Sequence, residues 1–126
     1  MTGARVGVDL VDVPAFEARF AGREDLLAEA FTDGELTYCQ GRKRPWPHLA
    51  ARFAAKEALL KALGTGLAGA MGWRDIEVTR DPAGAPGLVV TGATAEVLRA
   101  RRLQAGSVSL SHTESIAVAV VIVSSI

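Results

Sequence analysis

The segment from His48 to Leu63 constrains the fold of this chain more than any other. It runs for sixteen residues without an internal glycine or proline, and it is rich in alanine, the residue with the highest helix propensity. Gly64, directly after it, is typical of a helix C-terminus. The sequence therefore predicts one long central helix around which the other elements pack.

Length and composition limit the class of protein. The 126 residues correspond to a single domain, residues 1–126. A hydrophobic content of 49% with 22% charged residues excludes intrinsic disorder. Fourteen basic residues balance fourteen acidic ones, so the basic excess of a nucleic-acid-binding protein is missing. The lone cysteine, Cys39, excludes an internal disulfide and a multi-cysteine metal site, and we interpret it as a small apolar helical residue.

The hydropathy pattern predicts a cytoplasmic protein that does not span a membrane. Arg5 and Asp9 interrupt the apolar stretch that a signal peptide would need. The longest apolar run, Ile116 to Val123, is far shorter than the roughly 20 residues of a membrane-spanning helix. It is typical of a buried strand.

The remaining patterns predict an α+β fold, a mostly antiparallel sheet packed against the central helix. The predicted strands are Val6–Val13, Trp73–Arg80, Leu88–Thr91, Ser107–Ser111 and Ile116–Val123. The other predicted helices are two short ones within Phe16–Ala30 that break near Gly22, one through Cys39 that ends near Gly41, and one over Ala95–Ala105. Thr32 and Glu35 have the spacing of a capping box at the start of the third of these. We interpret Pro45-Trp46-Pro47 as a stiff connector, Gly64–Gly72 as a loop and Asp81-Pro82-Ala83-Gly84 as a turn.

Glu57 breaks the pattern of the central helix. At 100° per residue its nearest neighbours on the helix face include Ala50, Phe53 and Ala54. A carboxylate on an apolar face costs several kcal/mol unless it is paired or binds a cation. An ion pair with Lys61, one turn later, is one explanation. A metal site is the other.

Asp9 is a second carboxylate in an apolar element, between Val8 and Leu10 of the first predicted strand. A capping role at the end of the strand is one interpretation. Together with Glu57, however, Asp9 forms a pair of carboxylates on adjacent core elements, which suits a hard cation such as Mg²⁺. Mg²⁺ leaves its other positions to water and substrate phosphates, and the glycine-bearing loop after Gly64 allows a backbone to approach a phosphate.

Ser111, His112 and Thr113 stand together before the last predicted turn. A lone histidine is more often structural than catalytic, but three adjacent hydrogen-bonding side chains suit a phosphate or a base edge. We interpret His48 as a surface residue near a helix start.

Three motifs carry a family resemblance, in order and spacing along nearly the whole chain. They are Val6-Gly7-Val8-Asp9, the ten residues RFAAKEALLK at 52–61, and Ser109-Leu110-Ser111-His112-Thr113. The chain resembles the short, single-domain 4′-phosphopantetheinyl transferases, the holo-(acyl-carrier-protein) synthases. The motif at 52–61 is the specific one.

The resemblance implies the 4′-phosphopantetheinyl transferase fold and transfer of phosphopantetheine from coenzyme A to a serine of an apo acyl carrier protein. It implies Asp9 and Glu57 as Mg²⁺ ligands, with Lys61 against the phosphates. Residues expected near coenzyme A are Arg52, Lys56, Lys61, Gly64, Ser111, His112 and Thr113. It also implies a homotrimer with active sites between subunits.

One position departs from the family pattern. The resemblance implies a basic residue early in the first helix, where the carrier docks, and this chain has Ala15 there. Arg19 and Arg23, or the cluster at 42–44, offer docking charges instead. The sequence does not identify the general base. It also does not distinguish a carrier of fatty-acid synthesis from one of polyketide synthesis. The alternatives are a Mg²⁺-dependent nucleotide or pyrophosphate hydrolase and a non-catalytic trimeric module that binds coenzyme A or a carrier.

Overall fold

The computed structural model describes residues 3–126. Its strands are β1 (Ala4–Asp12), β2 (Ile76–Arg80), β3 (Pro86–Val90), β4 (Leu103–His112) and β5 (Ile116–Ser125). Its helices are α1 (Val13–Phe20), α2 (Glu24–Ala30), α3 (Asp33–Gln40), α4 (Pro45–Leu63) and α5 (Gly92–Ala100), with a 3₁₀ turn at Trp73–Asp75. The predicted α+β class with a mostly antiparallel sheet and a long central helix is confirmed.

A three-stranded antiparallel sheet, in the order β1-β5-β4, packs one face on α4. The inward residues of β5 are small or β-branched and fully buried, among them Ala119 and Val121. On β1 the inward position between Val6 and Val8 is Gly7, whose Cα lies directly against the backbone of α4. This close approach brings the carboxylates of β1 next to the helix.

The outer face of the same sheet is apolar and exposed. Val6, Val8 and Leu10 on β1 and Val120 and Ile122 on β5 are between 37% and 63% exposed. Cross-strand pairing of Val6 with Ile122 and of Val8 with Val120 joins them into one surface. A soluble monomer rarely exposes a contiguous apolar patch of this kind.

A smaller antiparallel pair, β2-β3, contacts α4 through β2 and the large sheet through β3, which lies beside β4. Ile76 and Val78 point into the core, as predicted, and the predicted turn at 81–84 joins the two strands. A second part of the core is aromatic: Phe16, Phe20, Phe31 and Phe53 pack with ring centroids 4.6–6.4 Å apart. This aromatic cluster fixes α1 and α2 on the N-terminal half of α4.

Several of the predicted element boundaries are wrong, and the strand predicted from Trp73 begins only at Ile76, after the 3₁₀ turn. Pro45-Trp46-Pro47 is the first turn of α4 and not a connector, because proline is tolerated where helix N–H groups have no partner. The predicted helix over 95–105 lies at Gly92–Ala100, and Leu103 already belongs to β4. The capping box of Thr32 and Glu35 and the left-handed Gly64 that ends α4 (φ 76°) are confirmed.

Within residues 3–126, no helix is both long enough and apolar enough to cross a membrane.

Candidate active site

Asp9, Glu57 and Lys61 come together where β1 lies against α4. The ammonium of Lys61 donates a hydrogen bond of 2.8 Å to Oδ1 of Asp9. The Asp9 side chain is 15% exposed, whereas that of Lys61 is largely in solvent. The alternative ion pair between Glu57 and Lys61 does not form among the described side chains, because Lys61 crosses to the strand instead.

Glu57 is half-buried beside Asp9, and the nearby positive charges do not fully balance the negative charge of its carboxylate. Burial raises the pKa of Glu57 and the negative charge of Asp9 raises it further, while Lys61 and Arg19 oppose this shift. A carboxylate held next to a second carboxylate with a raised pKa has an unmet demand for positive charge.

The donor set fits a hard divalent cation that shares its coordination with substrate. Two carboxylates are the usual protein contribution to a Mg²⁺ site that keeps several waters or phosphate oxygens. In residues 3–126 no cluster of three or more His, Cys, Asp or Glu side chains has the arrangement of a metal site. A closed, all-protein metal cage is therefore absent from the described chain, and a two-carboxylate site is what the geometry offers.

The helical period places the candidate residues of α4 on two different faces. Phe53, Glu57 and Lys61 follow each other at four-residue intervals and face α1 and β1. His48, Arg52 and Lys56 follow each other in the same way on a face that meets α3 and β2. The two faces give the two groups different roles.

Lys56 does not contact a substrate phosphate from its observed position, which corrects the prediction. Its side chain and that of Glu35 are both 0% exposed. The Lys56 ammonium donates to Oε1 of Glu35 (2.7 Å) and to the carbonyl of Trp73 (3.1 Å). The backbone N–H of Val78 donates to the other oxygen of Glu35, at 2.8 Å. Lys56 thus joins α4 to α3 and β2 as a structural ion pair.

Arg52 is also buried, with 1% of its surface exposed, but it keeps unused donor capacity. Its guanidinium donates to the carbonyl of His48 (3.2 Å) and lies 4.5 Å from the centroid of Tyr38. The guanidinium groups of Arg42 and Arg80 flank the same ring at 5.1 Å. The Nε atom of Arg52 is buried without a hydrogen-bond partner.

A cavity of about 570 Å³ lies beside this cluster, at the N-terminal end of α4. Its polar lining residues are Arg42, Lys43, Arg44, His48, His112, Thr113 and Glu114, and Glu114 forms an ion pair with Arg44. The rings of His48 and His112 meet edge to face with centroids 4.8 Å apart. Burial, followed by the charge of His112 and the nearby arginines, lowers the pKa of His48 to about 4.

The sequence interpretation missed His48 and the role of the 42–44 cluster. His48 is half-buried and lines the cavity, close to the start of α4. Its four-residue spacing from Arg52 on one helix face was the available signal.

Ser111 and His112 are adjacent in β4, so their side chains point to opposite faces of the sheet. Ser111 pairs across the sheet with Val118, on the exposed apolar face, whereas His112 pairs with Ala117, on the face towards α4. Within one chain Ser111 and His112 therefore lie on opposite faces of the sheet. Gly64 is at the C-terminus of α4, one turn beyond Lys61.

The predicted docking charges lie on and after α1. Arg19 is exposed, packs over the ring of Phe20 at 5.1 Å and is close enough to influence Glu57. Arg23 follows the helix, and its guanidinium is engaged by Asp25 at 3.0 Å. Of the two, Arg19 retains more of its charge for a partner.

Comparison with known proteins identifies the family of this chain. The profile of the 4′-phosphopantetheinyl transferase superfamily matches residues 5–121. The chain belongs to the 4′-phosphopantetheinyl transferase superfamily. A holo-[acyl-carrier-protein] synthase from Geotalea daltonii is 45% identical over 118 residues, covering 92% of this chain and 94% of the relative.

Solved structures of 4′-phosphopantetheinyl transferases share the fold. A holo-[acyl-carrier-protein] synthase from Neisseria meningitidis superposes with a TM-score of 0.84 at 30% identity, covering 94% of this chain and 96% of the other. An ACPS–CoA complex from Chronobacterium ammoniagenes gives a TM-score of 0.84 at 29% identity, with 98% of each chain covered. The predicted family and fold are confirmed, and the chain is an enzyme of the phosphopantetheinyl transferase class.

Proposed function

We propose that this protein is a Mg²⁺-dependent holo-acyl-carrier-protein synthase. It transfers 4′-phosphopantetheine from coenzyme A to a serine of an apo acyl carrier protein and releases 3′,5′-ADP. The observation that carries the proposal is the carboxylate pair of Asp9 and Glu57 beside Lys61, on two adjacent core elements of a chain in this superfamily.

The reaction needs charge neutralisation and alignment more than covalent catalysis. The serine oxygen forms a bond to the β-phosphorus, the bond from that phosphorus to the bridging oxygen breaks, and 3′,5′-ADP leaves with the electron pair. Asp9 and Glu57 would hold Mg²⁺, which supplies a positive charge for the pyrophosphate oxygens. Lys61, hydrogen-bonded to Asp9, is placed to add a second positive charge. The group that takes the serine proton is not assigned.

The basic cavity supports the binding of the adenosine and its phosphates. Arg42, Lys43 and Arg44 supply charge there, and His112 and Thr113 supply hydrogen-bonding groups. Arg52 is buried against Tyr38 and does not line this cavity. Coenzyme A, the ligand in the ACPS–CoA complex named above, carries these adenosine and phosphate groups.

The exposed apolar face of the large sheet supports a homotrimer with shared active sites. Ser111 lies on the exposed apolar face with Val8 and Leu10. Packing that face against a second copy would bury it. The same packing would bring Ser111 of one protomer towards the carboxylates of Asp9 and Glu57 of another.

The acidic carrier would dock on α1, next to the carboxylate pair, with Arg19 as the main charge and Arg23 as a weaker one. With no basic residue at Ala15, the choice between a fatty-acid and a polyketide carrier depends on these later positions. A cytoplasmic location, where both substrates occur, is part of the proposal.

Intact-mass spectrometry of apo carriers incubated with the protein, coenzyme A and Mg²⁺ tests this function. We expect one phosphopantetheine adduct on the carrier, which EDTA abolishes and which a carrier with serine replaced by alanine does not acquire. Glu57→Gln is the matched enzyme control and should reduce transfer by at least a hundredfold. Breakdown of coenzyme A without a carrier would instead identify a hydrolase, and neither product with a panel of carriers would identify a binding module.

A further inference from the structure

The ion pair between Lys61 and Asp9 joins a flexible side chain to a fixed one. Asp9 lies in β1, which pairs with β5 along its whole length, and its side chain is 15% exposed. Lys61 lies in the last turn of α4, and its side chain is 56% exposed. A lysine ammonium on its long stem reorients easily, whereas a carboxylate on a paired strand does not. Of the two partners, Lys61 is therefore the one that can leave.

Lys61 bonds to the carboxylate that helix geometry does not favour. Glu57 lies one turn before it on α4, and a glutamate that precedes a lysine by four residues is the better order for a pair within a helix. The Lys61 ammonium donates instead to Oδ1 of Asp9, at 2.8 Å. The ion pairs found among residues 3–126 do not include Glu57. Lys61 thus neutralises Asp9 directly and acts on Glu57 only through its charge.

A divalent cation held by both carboxylates would meet the Lys61 ammonium at Asp9. Two positive charges at one carboxylate repel each other, most strongly where the carboxylate is partly shielded from water. As long as Lys61 stays bonded to Asp9, it therefore opposes the binding of the cation. A phosphate of coenzyme A bound beside the carboxylates would offer the ammonium another charge-assisted hydrogen bond.

We propose that Lys61 is a competing cation that couples metal binding to phosphate binding. It occupies Asp9 until a phosphate accepts its hydrogen bond, and its departure frees Asp9 to act as a metal ligand. This inference rests on the proposed function and adds a means of regulation to the same site. The coupling is reciprocal, and it adds to any direct contact between metal and phosphate. The metal alone is bound weakly, and the metal with coenzyme A is bound tightly.

Titration of the full chain with Mn²⁺, followed by the electron paramagnetic resonance signal of the free ion, measures this competition without any reaction. For Lys61→Met we expect the affinity for Mn²⁺ alone to rise roughly tenfold, because the ammonium no longer competes for Asp9. Lys61→Gln should behave in the same way with a polar side chain. Lys61→Arg keeps a cation with hydrogen-bond donors, and its affinity should stay within about threefold of wild type.

Arg19→Met is the matched control for the removal of a charge. Arg19 acts on Glu57 through its charge but forms no ion pair among the described residues. Its loss should therefore raise the affinity for Mn²⁺ by no more than about twofold, since solvent screens such a charge. Thermal melting without metal shows that each variant is folded.

Coenzyme A supplies the second half of the experiment. Saturating coenzyme A should strengthen Mn²⁺ binding by a larger factor in wild type than in Lys61→Met, because only wild type has an ammonium to release. An affinity for Mn²⁺ alone that is unchanged or weaker in Lys61→Met, or that rises equally in Arg19→Met, would overturn the proposal. Failure of the proposed function is seen separately, as a wild-type protein that shows this competition but modifies no carrier.

Discussion

Gly7 of β1 lies against Ala58 of α4 so closely that a Cβ added to Gly7 would be 1.7 Å from the Ala58 carbonyl oxygen. The same Cβ would be 2.9 Å from the backbone nitrogen of Ala62. Backbone atoms on both sides leave no flexible side chain that could move away. The contact sets the separation of strand and helix two residues from Asp9 and one residue from Glu57.

Gly7→Ala should therefore damage both stability and activity. Strand and helix must separate to accept the methyl group, and we expect a loss of about 3 kcal/mol in the free energy of unfolding. Transfer should fall by more than stability explains, because Asp9 moves away from Glu57. Urea unfolding and the activity of the folded fraction measure the two effects. Gly3→Ala is the matched control, since nothing lies within 4 Å of its added Cβ; equal behaviour of the two variants would refute the argument.

The sequence predicted the fold class from its apolar patterns, and it indicated the two carboxylates because they interrupt those patterns. Asp9 and Glu57 conflict with the apolar patterns around them, and such conflicts are visible without a structure. Lys56 conflicts with its pattern equally, but its partner Glu35 is 21 residues away and belongs to another helix. Position on a helix shows that a charge is buried, and only packing shows which partner it has. The placement of His48 against His112 depended on packing in the same way.

Lys56→Met should be strongly destabilising although it removes a charge from the core. The change leaves the carboxylate of Glu35 buried without its cation, which costs about 3–5 kcal/mol. Changing both partners, as in Glu35→Gln with Lys56→Met, should recover part of the loss. Urea midpoints of the single and double variants measure this coupling. Lys43→Met, at an exposed position, should stay within about 0.5 kcal/mol of wild type; a similarly small effect at Lys56 would mean that its ion pair is not needed.

Glu57→Gln should stabilise the protein while abolishing transfer. The pKa of Glu57 is raised in the folded state, so its ionisation opposes folding at every pH above its usual value of 4.5. The variant should melt roughly 1–3 °C higher than wild type at pH 7, a small gain because the group is partly in water. The difference should vanish towards pH 4, where the carboxyl is protonated in both states.

Added Mg²⁺ supplies a second test of the same residue. A cation that binds only the folded protein raises its melting temperature by mass action. Millimolar Mg²⁺ should therefore stabilise wild type more than Glu57→Gln in scans without coenzyme A. An equal response of the two proteins would show that Glu57 is not a ligand.

His48 should make the fold sensitive to mild acid. Its pKa is lowered to about 4 in the folded protein, chiefly by burial and then by the positive charges of His112 and the neighbouring arginines. The unfolded chain takes up this proton near the ordinary value of 6.5, so the stability that neutral His48 allows is complete above that pH and is lost as the pH falls from 6.5 towards 4. His48→Phe keeps a ring against His112 but cannot be protonated. The urea midpoint of this variant should fall less than that of wild type between pH 7.5 and pH 5, and a parallel decline of the two proteins would show that another group carries the acid sensitivity.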